Sequence, residues 1–159
     1  QLAGLLKGKV SDAPAKLEAL LAQLKDTEKE LAQLKKDAAL SDMDSILAAK
    51  EDIGGVPVVA AVAQADSMDN LRDLADTVLD KLGSGVVLLG MTNGDKVNFV
   101  CKVAKSDTKK GLHAGKIIKA AAQAAGGNGG GRPDMAQAGG TNPAGIDEAF
   151  AKVKAAIAG

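Results

Sequence analysis

The sequence predicts an α+β protein: an N-terminal helical hairpin or coiled-coil-like arm, then a small globular domain with a mixed β-sheet covered by helices. Three observations predict it. Leucines recur at heptad spacing over residues 17–38. From Val56 onward short apolar runs alternate with amphipathic stretches, the pattern of strands interleaved with helices. Finally, 159 residues at 46 % apolar and 25 % charged suffice for one folded core and are too apolar for a disordered chain. The boundary falls at Gly54: an arm over residues 1–53 and a globular α+β domain over residues 54–159.

In the arm, Leu17, Leu24, Leu31 and Ala38 share one heptad position, and Leu20, Thr27 and Leu34 share the position three residues later. Ser11 or Asp12 caps this helix, with Pro14 in its first turn. A second, shorter helix is expected from Ser41, where Asp44 three residues on resembles a capping box, and it stops at Gly54-Gly55. Three heptads are too few for an isolated coiled coil, so the arm either packs as a spacer within the chain or pairs with a second copy.

In the globular part, Val56–Val62 is the first strand, with Pro57 confined to its start or to an edge. Ser67 caps a helix whose apolar stripe is Met68, Leu71, Leu74, Ala75, Val78, Leu79 and Leu82. Val86–Met91 is apolar on both faces, as a central strand is. Asn93-Gly94 signals a hairpin into Val97–Val103. A helix over 112–125, the glycine run Gly126–Gly131 and a last helix opening at Asn142-Pro143 complete the chain.

Composition narrows the chemistry. Twenty basic residues balance twenty acidic ones, which excludes a bulk polycation. The single Cys101 permits no internal disulfide, and with the single His113 no zinc site of the usual His/Cys composition. No metal site, cofactor or catalytic constellation is expected. No apolar run approaches membrane-span length, so a cytoplasmic protein without membrane contact is expected. The opening at Gln1 suggests a piece of a longer polypeptide.

The zero total conceals a division of charge. Residues 40–95 carry ten acids against Lys50, Arg72 and Lys81, whereas residues 102–119 carry Lys102, Lys105, Lys109, Lys110, Lys116 and Lys119 against Asp107 alone. A basic run beside a glycine-rich segment suits a phosphate backbone, and a solvated lysine face is the alternative. Gly126–Gly131 matches neither dinucleotide nor P-loop spacing.

The run continues as Gly129-Gly-Gly-Arg-Pro-Asp-Met-Ala-Gln-Ala-Gly-Gly140. This stretch closely resembles the signature of the C-terminal domain of alanyl-tRNA synthetase, a member of the DHH-associated domain superfamily. Gly111-Leu-His-Ala-Gly115, the Gly54-Gly-Val-Pro-Val58 entry, the leucine-rich arm and the closing helix resemble the family in order and spacing. The resemblance implies a domain outside both catalytic centres of a parent alanine–tRNA ligase, which itself uses ATP and metal ions elsewhere. It implies binding to the outer corner of tRNA, where the D and T loops meet, and bridging of the parent's aminoacylation and editing domains. It also implies, in some members, a homodimer through the helical part.

On that reading the Gly129, Gly130 and Gly131 amides with Arg132 form the donor surface, and the six lysines named above supply the field. Arg132 either pairs with a phosphate or stacks on a base, or it forms a structural ion pair with Asp134 or another nearby carboxylate. Met135, Ala136 and Gln137 are expected to hold the loop against the sheet rather than to touch RNA. The related DHH phosphoesterases carry a Gly-Gly-Gly-His loop, and Arg132 stands where that histidine would be. A coiled-coil module for a protein partner is the third reading.

Overall fold

The computed structural model describes residues 13–159, with residues 13 and 35–41 described by their backbone alone. The chain divides into a helical unit ending at Leu40 and a second unit, Ser41–Gly159. Helix α1 spans Ala13–Ala48 without interruption. The expected helical hairpin is therefore one helix. No Gly or Pro occurs between Ala15 and Ile53, and Ala38-Ala-Leu40 favours helix, so Ser41 and Asp44 sit inside a helix rather than starting one. The cap proposed at Ser11 or Asp12 lies outside the described residues.

The strands are β1 (Lys50–Ile53), β2 (Val56–Val62), β3 (Val86–Asn93), β4 (Lys96–Val103), β5 (Asn128–Gly131) and β6 (Met135–Gly140). They form one sheet in the order β1-β2-β3-β4-β6-β5. Only β2 and β3 are parallel, joined by a crossover through helix α2 (Met68–Leu82), and every other neighbour is antiparallel. Residues 50–53, placed in the arm by the sequence pattern, form the edge strand β1. Gly54-Gly55 is its two-residue hairpin turn, with φ of 62° and 81°, values that glycine adopts without steric cost. The second hairpin turns through Gly94-Asp95, one residue later than Asn93-Gly94, with Gly94 at φ 60°.

Two cores form on the two faces. On one, Val86, Leu88, Val97, Phe99, Cys101, Ala136 and Ala138 pack under helices α4 (Ala114–Ala124) and α5 (Ile146–Ala158). Phe99 meets Phe150 of α5 edge to face, with ring centroids 6.4 Å apart. On the other, Val59, Val87, Leu89 and Val100 pack under α2 together with Met43 and Ile46. Helix α2 starts as the sequence predicts: Ser67 Oγ accepts the Asn70 N–H at 3.2 Å, and Leu71, Ala75 and Val78 are buried. A one-turn helix α3 (Lys105–Thr108), unassigned from sequence, links β4 toward α4.

Candidate nucleic-acid interface

Three backbone hydrogen bonds gather the predicted site residues at one end of the sheet. Val103 N–H at the end of β4 donates to Asp134 O at 2.9 Å, Arg132 N–H donates to Met135 O at 2.8 Å, and Ala114 N–H at the start of α4 donates to Pro133 O at 2.8 Å. The end of β4, the β5–β6 turn and the first turn of α4 therefore meet. Helix α3 joins them through Asp107, which is buried. Its carboxylate accepts Gly85 N–H at 2.6 Å, Lys110 Nζ at 2.8 Å and Ser106 Oγ at 3.2 Å. The hydrogen bond from Lys110 holds this carboxyl below the ordinary range, and burial opposes the shift without cancelling it. Asp107 is the organising residue that charge patterning missed, because in sequence it is one acid among lysines.

The predicted cations divide into two groups. Lys102 pairs with Asp76 of α2 at 2.5 Å, and Lys110 is taken by Asp107. These two hold the fold. Lys105, Lys109, Lys116, Lys119 and Arg132 are exposed and make no ion pair among the described residues. Arg132 has no bond to Asp134, so the structural ion pair considered for it does not form. A cleft between α2 and α3 at this end is lined by Asp76, Asp80 and Asp134 as well as Lys102 and Lys105. Asp80 and Asp134 weaken the positive field beside Lys105, so the Arg132–Lys116 side is the more basic surface.

Gly129–Gly131 is not a loop but the edge strand β5. Its glycines answer first to packing: a Cβ on Gly129 would lie 2.3 Å from Ala138 Cβ, and one on Gly131 would lie 2.5 Å from Met135 O. The Gly129 N–H is taken by Asn128 Oδ1 at 2.8 Å. Gly130 alone faces open space, with nothing within 4 Å of a Cβ. Of the three amides expected to donate outward, that of Gly129 thus has a partner within the chain.

The remaining candidates sit apart from this chemistry. Cys101 is fully buried in β4, and burial raises its thiol pKa, which disfavours the thiolate a nucleophile needs. His113 is half-buried at the N-cap of α4, its Nδ1 buried without a partner and bonded neither to Cys101 nor to the helix. Among the described residues no three His, Cys, Asp or Glu side chains are grouped to hold a metal ion, and no helix is long and apolar enough to cross a membrane. Gln137 and Met135, expected to hold a loop against the sheet, belong to strand β6 itself: Gln137 Oε1 accepts from Arg72 Nη2 at 2.8 Å and Gln137 Nε2 reaches Met135 Sδ at 3.6 Å.

Comparison with known proteins matches the DHHA1 domain over residues 55–159. The alanine–tRNA ligase of Alkaliphilus oremlandii is 44 % identical over 154 residues, 97 % of this chain and 18 % of that protein. The alanine–tRNA ligase of Bacillus subtilis is also 44 % identical over 154 residues, with the same coverage. The chain thus spans about a fifth of the length of these relatives. Among solved structures, the C-Ala domain of alanyl-tRNA synthetase from Aquifex aeolicus aligns with a TM-score of 0.64 at 32 % identity, covering 69 % of this chain and 98 % of that domain. RecJ from Thermus thermophilus aligns at 14 % identity with a TM-score of 0.56, a likeness of fold alone. The chain belongs to the DHHA1 domain family and, within it, to the C-terminal domains of alanyl-tRNA synthetases.

Proposed function

We propose that this domain binds tRNA at its outer corner, within a cytoplasmic alanine–tRNA ligase whose aminoacylation and editing domains act on the tRNA it holds. The observation that carries the reading is that Lys105, Lys109, Lys116, Lys119 and Arg132, all exposed and without an ion pair among the described residues, stand on or beside the elements that meet at one end of the sheet. Their ammonium and guanidinium groups contact phosphates, and the field they set steers association. Neither metal nor cofactor is required for such binding. Anisotropy of labelled tRNA specific for alanine, of an unrelated tRNA and of a plain RNA duplex tests it. Preference for both L-shaped tRNAs over the duplex supports the reading, and equal weak binding to all three overturns it.

A second role rests on α1. Leu17, Leu20, Leu21, Leu24, Leu31 and Leu34 are each at least half exposed. We infer that this stripe pairs with the same stripe of a second copy. Sedimentation of the whole chain against a chain beginning at Ser41 tests it: the reading expects a dimer and a monomer respectively. The cut belongs at Ser41 rather than Gly54, because Met43, Ile46 and β1 are part of the second unit.

A further inference from the structure

The half of the sheet made by β4, β6 and β5 is covered on one face and open on the other. Along β6, Ala136, Ala138 and Gly140 are buried, whereas Met135, Gln137 and Gly139 keep contact with solvent. The strand register extends this open face in three rows: Lys102, Met135 and Arg132; Val100, Gln137 and Gly130; Asn98, Gly139 and Asn128. Helix α2 covers Val100 at one side and reaches Gln137 through the Arg72 guanidinium. Beyond that hydrogen bond lies a ledge about 10 Å across three strands.

Its composition is not that of an ordinary wet sheet face, which carries charged and β-branched side chains. Here Lys102 and Arg132 lie in the end row and Val100 lies under α2, and the other six positions are two glycines, three carboxamides (Asn98, Asn128, Gln137) and a thioether. No side chain rises from Gly130, and nothing stands within 4 Å of where one would be. At the α2 margin Asp69 and Asp76 are paired with Arg72 and Lys102, while Asp80 and Asp134 line the cleft beside Lys102. Arg132 is the unpaired cation on these rows. Away from the Lys102–Arg132 row, such a floor is flat, polar in its plane and uncharged. It suits a planar heterocycle better than a phosphate chain.

We propose that this ledge receives the exposed face of a base or base pair of a folded RNA, while the lysine edge holds the phosphates. The inference rests on the tRNA-binding reading and assigns the base contact to a different surface. The ring lies over Gly130 and Gly139, Met135 offers its polarisable sulfur, and Arg132 stacks or pairs from the margin. The carboxamide of Asn128 meets a base edge. Stacking thus proceeds without aromatic side chains; both phenylalanines are packed against the other face of the sheet.

The test uses the whole chain with carbon-13 methyl-labelled methionine, titrated with tRNA and separately with inorganic polyphosphate. The Met135 methyl resonance should move upfield with tRNA, through the ring current of the base, and stay in place with polyphosphate. In parallel, Gly130→Val should weaken tRNA binding about tenfold, the order of one lost stacked base, with the salt slope and melting temperature unchanged. Asn128→Ala serves as a second variant should valine lower the melting temperature. A Met135 methyl unmoved by bound tRNA, with Gly130→Val binding like the parent chain, overturns the ledge and leaves the lysine edge standing. Failure of the unmodified chain to bind tRNA overturns both.

Discussion

At the scale of single residues, Asp107 and Arg132 play opposite parts in one neighbourhood. Asp107 is buried with three donors, so Asp107→Asn removes a charge-assisted acceptor and should cost about 1–3 kcal/mol of stability, read by denaturant unfolding. Its folded pKa lies below its unfolded value, so the unfolded state takes up the proton first as pH falls. This stability is complete above the ordinary carboxylate range, declines as pH falls through it, and is gone below the folded pKa. The melting temperature of the parent chain should therefore fall on acidification more steeply than that of Asp107→Asn. The Arg132 guanidinium makes no ion pair among the described residues. Arg132→Ala should weaken tRNA binding by about 1–2 kcal/mol with an unchanged melting temperature, and the reverse pattern would mark it as structural. The role of Asp107 was illegible in sequence because Gly85, its closest donor, lies 22 positions away.

Among the elements, those set by local chemistry were the legible ones. Helix α2 carries its own cap, stripe and terminating Gly83, whose N–H donates to Leu79 O, so its limits follow from sequence alone. The β3–β4 hairpin was legible for the same reason. What failed was punctuation whose meaning depends on distant pairing. Gly54-Gly55 ends a helix or turns a hairpin equally well, and only the pairing of Lys50–Ile53 with β2 decides for the turn. Likewise Gly126–Gly131 has the composition of a flexible loop, yet β6 recruits its second half as an edge strand. That pairing yields a discriminating prediction. Gly129→Ala should lower the melting temperature by several degrees, because its Cβ would meet Ala138, whereas Gly130→Ala should leave it nearly unchanged.

For the whole molecule, net charge is the least informative number and charge placement the most. The chain is neutral overall, and its acids lie mainly before residue 96 while its lysines concentrate between 102 and 119. Folding then sorts those lysines again, committing Lys102 and Lys110 to carboxylates and leaving the others to solvent. Sequence could show the concentration; only the fold could show which cations remain free. The central claim is that these free cations hold tRNA phosphates. Its most direct test is the salt dependence of tRNA affinity for the parent chain and for a variant with Lys105, Lys109, Lys116 and Arg132 changed to alanine. Each phosphate contact contributes about −0.7 to −0.9 to the slope of log affinity against log salt. The account predicts that the variant loses about three such contacts, its slope becoming correspondingly shallower while its melting temperature holds. An identical slope for the two chains would contradict it and place the tRNA contact elsewhere on the molecule.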